Sequence, residues 1–326
     1  MRFNILINNK INFLYYQKVM PILMILKNYT MVVVEGENSK EYLQSKLTID
    51  MNQFKNDKYH MAAHCSINGK VLGVLTLFKY KKGYAYLIRK STVDLQVQEL
   101  KKYSIFSKLS IFIEKKVKII GLSGIRGKVF LQKFFLNIPN KKKTIVIEKN
   151  IILLLVDNLK KRYFLIFPEK KIFFLYKILF ANSNIKNYKY WNFLDIESGF
   201  PIIEKNIQEK FLPQELGLQK INGINFHKGC YQGQEVISRA YFKKIKNNFL
   251  CWMILYTDNI LQKNLKIEAK IKEKWVIVGK IIYTISNINN IFWVQAILNK
   301  KINLNCKFRI FSKKNEKLVL KKIFYI

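Results

Sequence analysis

The last eighty or so residues restrict the fold most. Residues 247–256, 265–271, 275–285, 290–298, 305–311 and 317–325 are short strand-like runs separated by turn residues, with no helical pattern among them. No such strand can bury an apolar face alone, so the set must close as a small β-barrel or sandwich.

Upstream the pattern is mixed. TMVVVEG (30–36) reads as a strand, and SKEYLQSKL (39–47) as a short helix opened by a Ser39 N-cap. Apolar runs at 59–66 and 70–78 flank Asn68-Gly69, a strong hairpin signal. A strand at 83–89, an amphipathic helix at 93–105, strands near 116–121, 145–156 and 162–167, and a helix over 169–182 follow. Strands and helices without a βαβ rhythm predict an α+β body over residues 1–243, followed by the barrel or sandwich over 244–326. A chain of 326 residues that is 50% apolar is long enough to bury such cores.

The net charge of +37 points first to nucleic acid or an anionic membrane. Arginine, the residue suited to bidentate phosphate grip, is confined to Arg2, Arg89, Arg126, Arg162, Arg239 and Arg309. Lysine, asparagine, isoleucine and phenylalanine dominate, as codon drift in an A+T-rich genome would produce. Functional charge and drift both fit this composition. The lysine runs at 141–143 and 313–314 read as solvated faces able to attract RNA or other anions. Residues 195–240 differ: six acidic residues face five basic ones, so this segment is −1 and the rest of the chain +38. It also holds five of the thirteen glycines. A segment that escapes the bias is the best pointer to a site.

Cys65, Cys230, Cys251 and Cys306 are widely spread and form no C-x-x-C pair, which fits reduced thiols in the cytosol. The apolar stretch Val19–Leu26 contains Pro21 and falls short of the roughly 20 residues a membrane span needs. A cytoplasmic protein without membrane attachment is expected. On a strand, His60 and His64 share a face and Cys65 takes the other, which argues against a metal site. Cys251 and Cys306, in apolar strand runs, read as core residues.

The chemistry concentrates in His227-Lys228-Gly229-Cys230-Tyr231-Gln232-Gly233-Gln234-Glu235. A thiol beside a lysine and before a helix-like run (GQEVISRA) is placed for a lowered pKa, which favours nucleophilic or redox chemistry. The alternative is a small cysteine in a tight turn. Asp195 and Glu197, two apart, would share a face on a strand, where a carboxylate accepts two hydrogen bonds.

The pattern K-G-C-Y-x-G-Q-E resembles the signature of the YgfZ family of folate-binding, tRNA-modification-associated proteins. That family is related to the T-protein aminomethyltransferase of glycine cleavage. EYLQSKLTID (41–50), AAHCSINGKVLG (62–73), LKKYSIFSKL (100–109), WNFLDIESGFP (191–201) and FLPQELGLQKINGINFHKGCYQGQE (211–235) match in the family's order. The resemblance implies an aminomethyltransferase-like, ring-shaped α+β body with a folate cavity, and a C-terminal β-barrel. It implies an accessory factor rather than a classical enzyme. Its cofactor would be tetrahydrofolate or a derivative, and its partners iron–sulfur enzymes, among them those that methylthiolate tRNA. Contact with tRNA would be indirect and the protein a monomer, with a link to regulation of replication initiation. In such proteins two tryptophans hold the folate: one matches Trp191, and the other falls at Tyr29. Cys230, with Lys228 tuning it, would be the redox-active or cluster-contacting thiol. Ser45 and Lys46 stand where the family has Gly-Gln, and Gly217 where it has Asn. A tetrahydrofolate-dependent one-carbon transferase is the alternative; Arg89, where transferases carry a polar amide, counts against it.

Overall fold

A computed structural model describes residues 21–124, 126–156, 161–171, 184–243, 248–257, 265–286, 290–299, 305–311 and 317–324. In chain order it opens with β1 (Ile22–Ile25), β2 (Tyr29–Glu35), α1 (Ser39–Lys46), β3 (His60–Cys65), β4 (Val71–Tyr80), β5 (Gly83–Arg89), α2 (Val93–Lys101) and β6 (Ser110–Glu114). Then come β7 (Val117–Ser123), α3 (Gly127–Gln132), β8 (Ile145–Glu148), β9 (Ile151–Val156), β10 (Arg162–Pro168), β11 (Asn184–Lys186), α4 (Lys189–Ser198) and α5 (Gln234–Phe242). The C-terminal strands are β12 (Asn248–Tyr256), β13 (Lys266–Ile271), β14 (Lys274–Ser286), β15 (Ile291–Asn299), β16 (Phe308–Ile310) and β17 (Lys317–Phe324).

By contacts the chain divides into two units: residues 1–29, 56–59 and 114–191, and residues 30–55, 60–113 and 192–326. The first holds a six-stranded sheet in the order β11-β1-β7-β10-β9-β8. Its core follows the period-2 rule: Ile120 and Leu122, Tyr163, Leu165 and Phe167, and Leu153 and Leu155 all point to the face covered by Phe130 and Leu131 of α3. On the other face Trp191 lies over Gly121, where a Cβ would come within 2.5 Å of the indole ring.

The second unit has a five-stranded sheet, β3-β4-β5-β2-β6, and a closed barrel, β12-β15-β14-β13-β16-β17. Helices α1 and α2 cover the sheet with Tyr42, Leu43, Val93, Val97 and Leu100. The barrel groups with this unit because Leu250, Ile282, Ile297 and Phe324 share a core with Phe211 and Leu216 of the 199–233 loop. The strand-like runs of the tail thus form the barrel rather than a sandwich.

Three local expectations change. Asn38, not Ser39, is the N-cap of α1, and its side chain makes no cap hydrogen bond. The run 145–156 is a hairpin, with Glu148 paired to Ile151 across Lys149 and Asn150. Asp195 and Glu197 lie on α4, a helix, where residues two apart do not share a face. Most of the helix expected over 169–182 and the pair Lys313-Lys314 lie outside the described residues.

Candidate functional site

In the second unit, α1 ends at Lys46, and a helix end leaves carbonyls without intrahelical partners. Lys228 reaches them from the glycine-rich loop. Its Nζ donates to the carbonyls of Gln44, Leu47 and Ile49 at 2.6, 2.7 and 2.8 Å. A cation at a helix C-terminus also complements the macrodipole. Burial pulls the ammonium down to about 8, with the Asp50 charge opposing.

Further hydrogen bonds stitch the same two segments. Thr48 Oγ1 donates to Gly223 O at 2.6 Å. Asn225 N–H bonds to Thr48 O, and Gln232 N–H to Ser45 O. Gly233, with φ +81°, then opens α5 against the β3–β4 hairpin tip: a Cβ there would lie 2.5 Å from Ser66 O and 2.8 Å from Gly69 Cα. The two glycines interlock, which explains why both blocks need glycine at that point.

This framework presents Cys230 on the surface. The thiol lines a cavity of about 490 Å³ together with Ser45, Lys46, Ile67, Glu99, Lys102, Tyr103, Tyr231 and Gln232. Four sequence blocks, 41–50, 62–73, 100–109 and 211–235, therefore meet at one thiol. Lys46 Nζ lies 3.2 Å from Gln232 Oε1 and 4.9 Å from the Tyr103 ring centroid. Burial lowers its pKa, with Glu99 opposing. Lys102 pairs with Glu99 at 2.6 Å on the rim.

Lys228 is close to Cys230 in sequence, but its three protons are spent on the carbonyls of Gln44, Leu47 and Ile49. It positions the loop; no proton remains for it to donate to the thiol. The cations at the cavity are Lys46 and Lys102, which the motif alone did not reveal. The departure at Ser45-Lys46 was the available signal.

His64, behind this framework, is fully buried. Tyr86 Oη donates to Gln96 Oε1 at 2.7 Å, which turns the Gln96 amide N–H toward His64 Nδ1 at 3.2 Å. Burial and the Lys46 charge hold His64 near pKa 3. The unfolded chain binds this proton and the folded chain does not, so stability falls as pH drops from 6.5 toward 3. We predict a loss of about 1.4 kcal/mol per pH unit across that window from this group. Urea unfolding at several pH values should show a shallower acid slope in His64→Asn, by about one proton; parallel slopes contradict the assignment. His60, at the strand end, contacts the Lys55 backbone at 3.1 Å. Cys65 and Cys251 are buried, with thiols pushed up by burial; Cys306 is half-buried.

In the first unit, Tyr29 packs edge-on against Phe164, with centroids 5.4 Å apart. Phe164 in turn lies 4.5 Å from Trp191. The two residues expected to hold folate are thus joined through an aromatic that sequence reading missed. Trp191 is sealed at 0% exposure, with the Arg162 guanidinium 4.6 Å from its ring. Its Nε1–H finds no acceptor among the described residues. Tyr29 remains partly exposed.

Asp195 does not stand open either. In the second unit its Oδ2 accepts from Arg89 at 2.6 Å, and Arg89 also donates to Asn192 at 2.7 Å.

No family model matches the chain. Curated proteins do. The tRNA-modifying protein YgfZ of Buchnera aphidicola subsp. Schizaphis graminum is 38% identical over 90% of this chain and 92% of its own length. The chain belongs to the YgfZ family. The YgfZ of Escherichia coli O157:H7 is 31% identical, covering 88% of each chain. Among solved structures, glycine cleavage aminomethyltransferase T from Bartonella henselae superposes with a TM-score of 0.78 at 11% identity, covering 96% of this chain and 88% of that one. The chain therefore has the aminomethyltransferase fold, with mixed sheets and helices and the closed C-terminal barrel. No described helix is long and apolar enough to cross a membrane.

Proposed function

We propose that the chain is a folate-binding factor of tRNA modification that works in the cytoplasm with iron–sulfur enzymes, including those that methylthiolate tRNA. The observation that carries this reading is the convergence of four separated blocks on the Cys230 cavity. A thiol held out by a loop with this many fixed contacts is placed to react or to touch a cluster, whereas a structural cysteine belongs in the core. Curated relatives over most of the length are named as tRNA-modifying proteins.

Folate fits the aromatic cluster of the first unit on one structural ground: Tyr29 keeps a partly exposed ring on which a pterin can stack, and behind it the Trp191 Nε1–H has no acceptor among the described residues. Bound folate would bring its pterin and carry one-carbon units. Tyr29, the partly exposed ring, offers the accessible face; Trp191 and Phe164 back it. The one-carbon transferase reading shares the fold but needs an open carboxylate, and Arg89 occupies Asp195.

Titration of tryptophan fluorescence with tetrahydrofolate tests the cofactor. Quenching is expected in the wild type and should fall sharply in Trp191→Phe, which keeps the core filled. Tyr29→Trp should tighten binding by adding aromatic area. Unchanged quenching in Trp191→Phe would remove Trp191 from the folate site.

A further inference from the structure

The cavity at Cys230 carries a definite charge pattern. Lys46, Lys102 and Glu99 line it, and Glu99 pairs with Lys102 at 2.6 Å, so the charged lining nets +1 and that charge sits on Lys46. Lys46 is held between Gln232 and the Tyr103 ring, so its charge is fixed in place. Ile67 and Tyr103, 76% and 59% exposed, supply apolar contact at the same wall. The volume, about 490 Å³, is in the range of small-molecule sites. A cavity with an exposed thiol, a fixed cation and an apolar wall matches a small peptide disulfide bearing carboxylates.

We propose that this cavity takes an anionic low-molecular-weight disulfide of the glutathione class, and that Cys230 exchanges with it. The inference rests on Cys230 being the reactive thiol of the site. The Cys230 thiolate attacks one sulfur of the incoming disulfide. Its S–S bond breaks, a Cys230–S–S–peptide bond forms, and the departing thiolate takes up the proton that Cys230 lost. The disulfide is the oxidant, and one equivalent of free thiol leaves. Lys46 selects for carboxylates and against cations.

The test uses the purified full chain with three disulfides at equal concentration: glutathione disulfide (anionic), 2-hydroxyethyl disulfide (neutral) and cystamine (cationic). Intact mass and peptide mapping follow the adduct. The expected site is Cys230, and the expected order is anionic, neutral, cationic. Glutathione disulfide should outpace cystamine by about ten-fold at low salt, with the gap closing as salt rises. Lys46→Gln should narrow that gap. Equal rates, a preference for cystamine, or mapping to Cys306 would overturn the proposal. If charge selectivity holds while Cys230→Ala still supports tRNA modification in cells, the disulfide site stands and the functional reading of the thiol fails.

Discussion

Lys228→Met should lower the unfolding free energy by about 2–4 kcal/mol, a shift that urea denaturation resolves easily. Hydrogen bonds to a charged group are worth about 1.5–3 kcal/mol each, and three end on this ammonium. Its removal leaves the carbonyls of Gln44, Leu47 and Ile49 without this donor. Against that stands the cost of burying the charge, visible in the fall of its pKa to about 8. Methionine relieves that cost and keeps the stem's packing. The carbonyls dominate, because a bare buried acceptor loses water as well as its partner. A change under about 1 kcal/mol would mean that the Thr48, Asn225 and Gln232 bonds hold the loop without Lys228.

The same contacts show what was legible in the sequence. The hairpin at Asn68-Gly69 and the six barrel strands were readable because turn chemistry and period-2 alternation are local. The β8–β9 hairpin was read as one strand, because its turn is Lys149-Asn150, both with positive φ (51° and 64°). Lysine is not a residue that signals a left-handed turn. Gly217, a departure from the family's Asn, has φ +71°, a conformation that glycine and asparagine both tolerate. That substitution keeps the backbone, so it leaves the fold intact.

At the site, Cys230 and its glycines stood out by composition, but Lys228's role did not. Its acceptors lie 179 to 184 residues away, and no local pattern encodes such a pairing. Adjacency in sequence suggested a thiol tuner; the fold adds a role at the end of a distant helix. Lys46 was visible only as a departure, and its meaning appeared once Gln232 was found beside it. Asp195 and Glu197 were misplaced because WNFLDIES has no clean helical stripe: buried Trp191, Asn192, Leu194, Asp195 and Ile196 run around much of α4. The excess of lysine explains little of the chemistry. The triplet Lys141-Lys142-Lys143 is exposed, in keeping with a solvated face.

The 41–50, 62–73, 100–109 and 211–235 blocks converge on one cavity with Cys230 at its wall. Cys230 is exposed, so its replacement by alanine opens no core cavity and should leave stability within about 0.5 kcal/mol. In cells lacking the native protein, Cys230→Ala should leave methylthiolated tRNA at the level of the empty control, whereas the wild-type chain restores it. A soluble, normally folded Cys230→Ala protein that restores tRNA methylthiolation fully would contradict the account.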